Sequence, residues 1–281
     1  MVWYHSSTLT LPALLKRMPS QDALVLWIDF AGLRNSGLLQ LLAGAKAGED
    51  PEYQKFVQAT RFDYMTDLDS ALVAFPRSGG TYFMVQGRFD WASLRSYVAG
   101  QSGQCINSLC RVTGSTPDRH ISFMPLRGDL MAMAVSPDAY AVMQLAGARS
   151  GPNPAIPVGL VWMTFPGSLP KSTTLPAGTV ALARIIENSP SVTLSFVPER
   201  DRLSAHLEVG CRTEREAAEV AAQFTSATER ARSAFEREHQ KPNPADFSGV
   251  LTSGVFRSEG TRALGQWPIE LALVRNLLGT Q

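Results

Sequence analysis

Two periods of apolar and polar positions divide this chain. Short apolar or alternating runs bounded by Pro, Gly, Asn or Asp predict strands at residues 23–30, 71–75, 81–89, 109–113, 120–126, 130–135 and 158–165, and later at 180–186, 192–196, 202–210, 250–256 and 261–266. Between them lie stretches of helical period. Residues 11–18 form a short amphipathic helix stopped by Pro19. Ser36 opens a helix to about residue 47, and Asp50-Pro51 is an N-cap with first-turn proline for another. Asp90 caps a helix that carries Trp91, Leu94, Tyr97 and Val98 at core spacing. Thr213-x-x-Glu216 is a capping box for a long helix whose inner stripe runs through Val220, Phe224, Ala227, Ala231 and Phe235. Ser136-Pro137 and Trp267-Pro268 each read as the opening of a helix, and Gly279 as the end of the last one.

The grammar repeats. Met18-Pro19 with the run 23–29 resembles Leu175-Pro176 with the run 180–186. The hairpin 71–89 resembles 192–210, each running into a helix, and 130–135 with Ser136-Pro137 resembles 261–266 with Trp267-Pro268. Spacing between the pairs drifts as loop insertions cause in a repeat. The sequence therefore predicts an α+β fold of two related halves, each a mostly antiparallel sheet with helices on one face. The Gly/Pro-rich segment 147–157 marks the seam. The first half is read as residues 1–157, with a helical insertion at about 31–68, and the second as 158–281, with 158–165 able to complete the first sheet.

Charge and composition then narrow the classes. Apolar residues make up 44% of 281 positions, enough for one large core or two medium ones in a soluble globular protein. A formal charge of +1, with no Lys/Arg cluster interleaved with aromatics, argues against nucleic acid as partner. No apolar run reaches the ~18 residues a membrane span requires. Residues 1–7 hold neither a basic nor an apolar signal region, so the expectation is a cytoplasmic chain or an exported one whose leader has been removed. Cys105 and Cys110 flank a short polar loop and are either a small-ring disulfide or two unpaired thiols, and the bridge would favour export. Cys211 reads as a buried, inert thiol.

Candidate chemistry is sparse. The chain has no nucleophile elbow, phosphate-cradling loop, dinucleotide fingerprint or zinc-protease helix. Among four histidines only His120 lies where acid/base work is conceivable, and a lone strand histidine is an ordinary structural residue. Asp63, Asp67 and Asp69 bring three carboxylates into seven residues, but their spacing fits no calcium loop, and turn capping is the better account of Asp67 and Asp69. Asp29 ends a strand, where functional carboxylates and turn formers both occur. Asp29, Asp67 and Asp69 are accordingly the candidate ligand-binding residues; no catalytic residue, metal site or cofactor is assigned. Arg127-Gly128-Asp129 spells an integrin-recognition string and also reads as a tight hairpin turn.

Several short stretches carry a resemblance. Residues 18–23 (MPSQDA) through Ile28-Asp29-Phe30, then Leu33-Arg34-Asn35-Ser36, Asp67-Leu68-Asp69-Ser70 and Gln86-Gly87-Arg88-Phe89-Asp90 resemble a group of bacterial proteins found especially in acidobacteria. In that group similar chains follow a signal or lipoprotein leader, and no activity is assigned to it. The resemblance implies an exported, duplicated α+β protein and transfers no catalytic residue.

The sequence thus favours a non-enzymatic binding protein of the bacterial envelope, acting through a surface on a protein or envelope component. The other reading is a small-ligand binder or enzyme with its site in a crevice between the halves.

Overall fold

The computed structural model of the chain describes residues 9–43, 51–114, 116, 118–147, 150, 154–167, 179–200 and 202–277. The expected Asp50 cap, the Leu175-Pro176 turn, Gly279 and residues 148, 149 and 151–153 of the linker lie outside them. The chain is α+β, with a large antiparallel sheet. It divides into two compact units, Met1–Val25 with Glu52–Ile156, and Leu26–Pro51 with Pro157–Gln281. A boundary thus falls at Ile156/Pro157, beside the expected seam. Residues 26–51 group with the second unit, so the stretch 31–68 is shared out between units rather than inserted into the first.

In the first unit, α1 (Leu11–Leu15) precedes β1 (Ala23–Asp29), whose first three residues belong here. Then come α4 (Pro51–Thr60), α5 (Tyr64–Asp67), β2 (Leu68–Pro76), β3 (Thr81–Gly87) and α6 (Trp91–Gly100). Four strands follow: β4 (Gln104–Ile106), β5 (Leu109–Thr113), β6 (His120–Arg127) and β7 (Leu130–Ser136). Their order is β1-β2-β3-β7-β6-β5-β4. After Ser136-Pro137 the chain forms only a 3-10 turn, Ala141–Leu145, where an α-helix was expected. Ser122 explains part of this: its buried hydroxyl accepts the Val142 N–H at 3.3 Å, a bond an α-helix would direct to a carbonyl.

The second unit holds α2 (Phe30–Asn35), α3 (Leu38–Ala43), β8 (Val161–Phe165), α7 (Thr179–Ile186), β9 (Ser191–Pro198) and β10 (Arg202–Gly210). It continues through α8 (Glu214–Arg237), α9 (Phe247–Ser253), β11 (Val255–Glu259), β12 (Arg262–Glu270) and α10 (Leu271–Leu277). The strand order is β8-β9-β10-β12-β11. Register fixes one apolar face: Val161 pairs with Phe196, Phe196 with Ala205, and Ala205 with Trp267. The opposite face is polar, with Thr164 bonded to Thr193 and the Gln266 amide donating to Ser204. Helix α8 lays Ala217, Val220, Ala221 and Phe224 over the apolar face, forming a core with Leu207, Val209 and Trp267.

Four further expected elements differ. Residues 180–186 are helix, not strand, because adjacent Ile185 and Ile186 both pack on the α8 core while Arg184 is exposed. A strand would send neighbouring side chains to opposite faces. The expected strand 250–256 begins only at Val255; Asp246 accepts the Ser248 N–H at 2.7 Å and starts α9 instead. Ser36 ends α2 rather than starting a helix, its hydroxyl donating to the Leu33 carbonyl at 3.0 Å. Strand β12 also runs through Trp267-Pro268, since β11 begins opposite Gln266 and at Pro268 no β11 residue is paired.

The capping box of α8 is formed: Thr213 Oγ1 accepts the Glu216 N–H at 3.1 Å, and the Glu216 carboxylate reaches back to the Arg212 N–H at 2.8 Å. Thr213→Ala removes one of these partners and should cost about 1 kcal/mol in urea unfolding. The m-value should not change, because the surface exposed on unfolding is the same.

Candidate functional site

Each candidate carboxylate has a local task. In the second unit, Asp29 caps α2, accepting the Gly32 N–H at 2.8 Å, while its own N–H donates to the Leu160 carbonyl at 2.7 Å. Gly32 packs closely there, since a Cβ would stand 2.5 Å from Leu160 Cδ2 and 2.7 Å from the Asp29 carboxylate and one of these side chains would have to move.

In the first unit, Asp63 caps α5 and accepts the Tyr53 hydroxyl and the Met65 N–H, both at 2.9 Å. Desolvation, reinforced by that bond to Asp63, pushes the Tyr53 phenol up to about 12. Asp69 is half-buried at the β-bulge between Leu68 and Ser70. Asp67 accepts the Asp63 N–H at 2.9 Å and the Arg88 guanidinium at 2.9 Å. Burial raises the Asp67 carboxyl, but the Asp63 N–H and Arg88 outweigh it and hold the group below its ordinary value. A depressed folded value means that this contribution to stability is complete above the unfolded pKa of about 3.9. It is lost as pH falls through the folded value. Asp67→Asn should therefore flatten the acid limb of stability below about pH 4, read by urea midpoints at stepped pH.

His120 is half-buried at the start of β6, opposite Thr113 and Ser136. Among the described residues no group of three or more His, Cys, Asp or Glu is placed to hold a metal ion. Arg127 and Asp129 close the β6–β7 turn on each other, with Nε to Oδ1 at 2.9 Å and Nη2 to Oδ2 at 2.7 Å, and Trp91 Nε1 holds the Gly128 carbonyl at 2.9 Å.

Cys105 and Cys110 face each other across β4 and β5 and are joined by a disulfide. The bridge closes the β4–β5 hairpin on itself, and Cys110 packs with Val98 of α6 and with Phe123. Closing so small a ring is worth roughly 2 kcal/mol in the chain-entropy account. Replacing both cysteines by Ala should lower urea stability by about that much, and reducing the wild type should do the same.

The feature with the clearest binding character lies elsewhere in the second unit. Beside the core under α8 opens a cleft of about 380 Å³ lined, among the described residues, by apolar side chains. Its floor is Val161, Phe196, Leu203 and Ile269, on β8, β9, β10 and β12. One wall is Leu33 of α2 with Leu38 of α3, and the other is Phe247 and Val250 of α9 with Leu273 and Val274 of α10. Phe196, Val250 and Ile269 also pack on the α8 core, so the cleft is that core continued and left unfilled. Leu42 and Leu277 also line it, and are 37% and 58% exposed, so apolar surface reaches solvent. Among the described residues no helix is long and apolar enough to cross a membrane.

No motif in the sequence marks this cleft. Its signal was present in short helices at distant points of the chain, Leu33 to Leu42 and Leu273 to Leu277, each with leucines on one face. Only the fold brings them over one sheet.

No family model matches this chain, and no curated protein is similar to it. Among solved structures, crystal form I of TP0453 is similar over 95% of this chain and 96% of that one, with a TM-score of 0.50 at 11% identity. Crystal forms III and IV of TP0453 cover the same shares at 10% identity, with TM-scores of 0.48. At 11% identity the likeness to crystal form I concerns the fold.

Proposed function

We propose that this chain is a non-enzymatic binding protein whose second unit takes up the apolar chain of an amphiphile in the cleft between α2, α3, α9 and α10. One observation carries the reading: a concave site of about 380 Å³ offers a ligand, among the described residues, only apolar side chains. The volume falls within the range of roughly 300–1,000 Å³ usual for small-ligand pockets. Among the described residues its lining holds no acid, base or nucleophile, so what it offers a ligand is burial away from water. Exposed leucines at its margin suit a ligand whose polar end stays in solvent.

An exported location is part of the proposal. The Cys105–Cys110 disulfide supports it, since such bonds persist in oxidising compartments. The reading of two related halves belongs here too. Its support is the shared order of strands, β1-β2-β3-β7-β6 against β8-β9-β10-β12-β11, with α6 and α8 each following the third strand of its series.

Calorimetric titration with single-chain amphiphiles of one head group and increasing chain length tests the function. Affinity should rise about fourfold per methylene, the equivalent of ~0.8 kcal/mol, until the cleft is full. The heat capacity of binding should be negative. Affinity independent of chain length would overturn the reading.

A further inference from the structure

The cleft of the second unit has a direction. Along α3, Leu38 is 8% exposed and Leu42, one turn on, is 37% exposed; along α10, Leu273 is 3% exposed and Leu277, one turn on, is 58% exposed. Both helices line the cleft and pack against each other. Apolar surface therefore comes out to solvent at their last turns, and this is the mouth.

The opposite end is set by α9 and the sheet. Phe247 and Val250 are three residues apart on α9 and both line the cleft. Val250 also packs on the core under α8, and Arg232 of α8 holds the Thr252 carbonyl at 2.6 Å, so it is the C-terminal turn of α9 that stands against α8. On the floor, Phe196 pairs with Ala205 and Ala205 with Trp267, both members of that core. The cleft thus ends inward at Val250 and Phe196.

A chain that enters tail first lays the methylenes nearest its head group against Leu42 and Leu277, whatever its length. Only a chain long enough to span the cleft brings its terminal methyl to Val250. We infer that Val250, with Phe196 of the floor, is the length gauge of this site, an inference that rests on the uptake reading above. The ligand is then an amphiphile with one hydrocarbon chain of bounded length, inserted between the last turns of α3 and α10. A volume of about 380 Å³, near the low end for a ligand pocket, suits a single chain. Each methylene buried before the gauge adds to affinity; each one beyond it stays in water or overpacks the inner end.

The test is calorimetric titration of the full chain with alkylphosphocholines from octyl to octadecyl, each kept below the concentration at which it forms micelles. Wild type is compared with Val250→Ala, Val250→Ile, Val250→Phe and Leu277→Ser, and urea midpoints show that each variant is folded. Wild-type affinity should rise about fourfold per methylene to a break and then level off. Val250→Ala should move the break to a chain about two methylenes longer, by the space it frees, and Val250→Phe to a shorter one. Val250→Ile, the mildest change, should shorten it by about one methylene. Chains shorter than every break should bind all three Val250 variants within about twofold of wild type, since they do not reach that residue. Leu277→Ser should weaken every chain by the same factor and leave the break in place. A break that no Val250 variant moves, or Val250 variants that change the affinity of all chains alike, would overturn the gauge and leave uptake standing. Wild-type affinity independent of chain length would overturn the uptake reading and the gauge with it.

Discussion

Val274→Trp should abolish uptake of a single-chain amphiphile while leaving the protein at least as stable as wild type. Val274 is on α10, half-buried and turned to the cleft. An indole there has a void of about 380 Å³ to enter, so the overpacking penalty of a close-packed core, about 1–3 kcal/mol, is not incurred. Filling an apolar void commonly adds about 0.5–2 kcal/mol instead. Binding and stability should therefore move in opposite directions, with affinity falling tenfold or more as the urea midpoint holds or rises. A core position behaves differently. A joint loss of both would mean that α10 is a packing element and the cleft no more than a defect.

Phe224→Ala should be the most destabilising single change in the second unit, at about 3–5 kcal/mol. Phe224 is 3% exposed and lies at the centre of the face that α8 covers. Its ring stacks on Phe256 at 5.0 Å and meets Trp267 edge-on at 6.5 Å, while Phe256 meets Trp267 at 5.1 Å. One truncation thus opens a cavity and breaks two ring contacts, leaving Phe256 with nothing on one face. Helix α8 depends on this anchor, because its outer side is charged and contributes little burial. Guanidinium unfolding followed by tryptophan fluorescence reads the loss, and Trp267 reports from within the affected cluster.

Much of the strand pattern was legible, as alternation in 81–89 and as a continuous apolar run in 71–75, which is buried on both faces. The runs 71–75, 81–89, 192–196 and 202–210 became β2, β3, β9 and β10. The α8 capping box was equally plain, since Thr213 and Glu216 act within one turn. Where the reading erred, period was the ambiguous quantity. The run 180–186 is apolar at nearly every position and fits either a strand or a buried helix, and only packing on α8 decides between them. At 247–256 the apolar run Val250 to Phe256 has strand character, but Asp246 before it starts a helix.

The candidate site was less legible for a different reason. Carboxylates are conspicuous in a sequence, but Asp29 and Asp67 work as a cap and a turn brace, tasks fixed by backbone N–H groups that no sequence motif displays. An apolar cleft is the reverse case. Leu38, Phe196, Phe247 and Ile269 look like any core residues, and the cleft among them exists only once α2, α3, α9 and α10 are brought around β8, β9, β10 and β12.

The central claim is that the cleft holds an apolar chain. It is tested most directly by crystals of the full chain grown with a single-chain amphiphile bearing a heavy-atom label at its tail end. The account predicts the label's anomalous signal inside the second unit, between Leu38 and Val274 and above Phe196. A label found only outside the cleft, with the leucines of α3 and α10 closed upon each other, would contradict it.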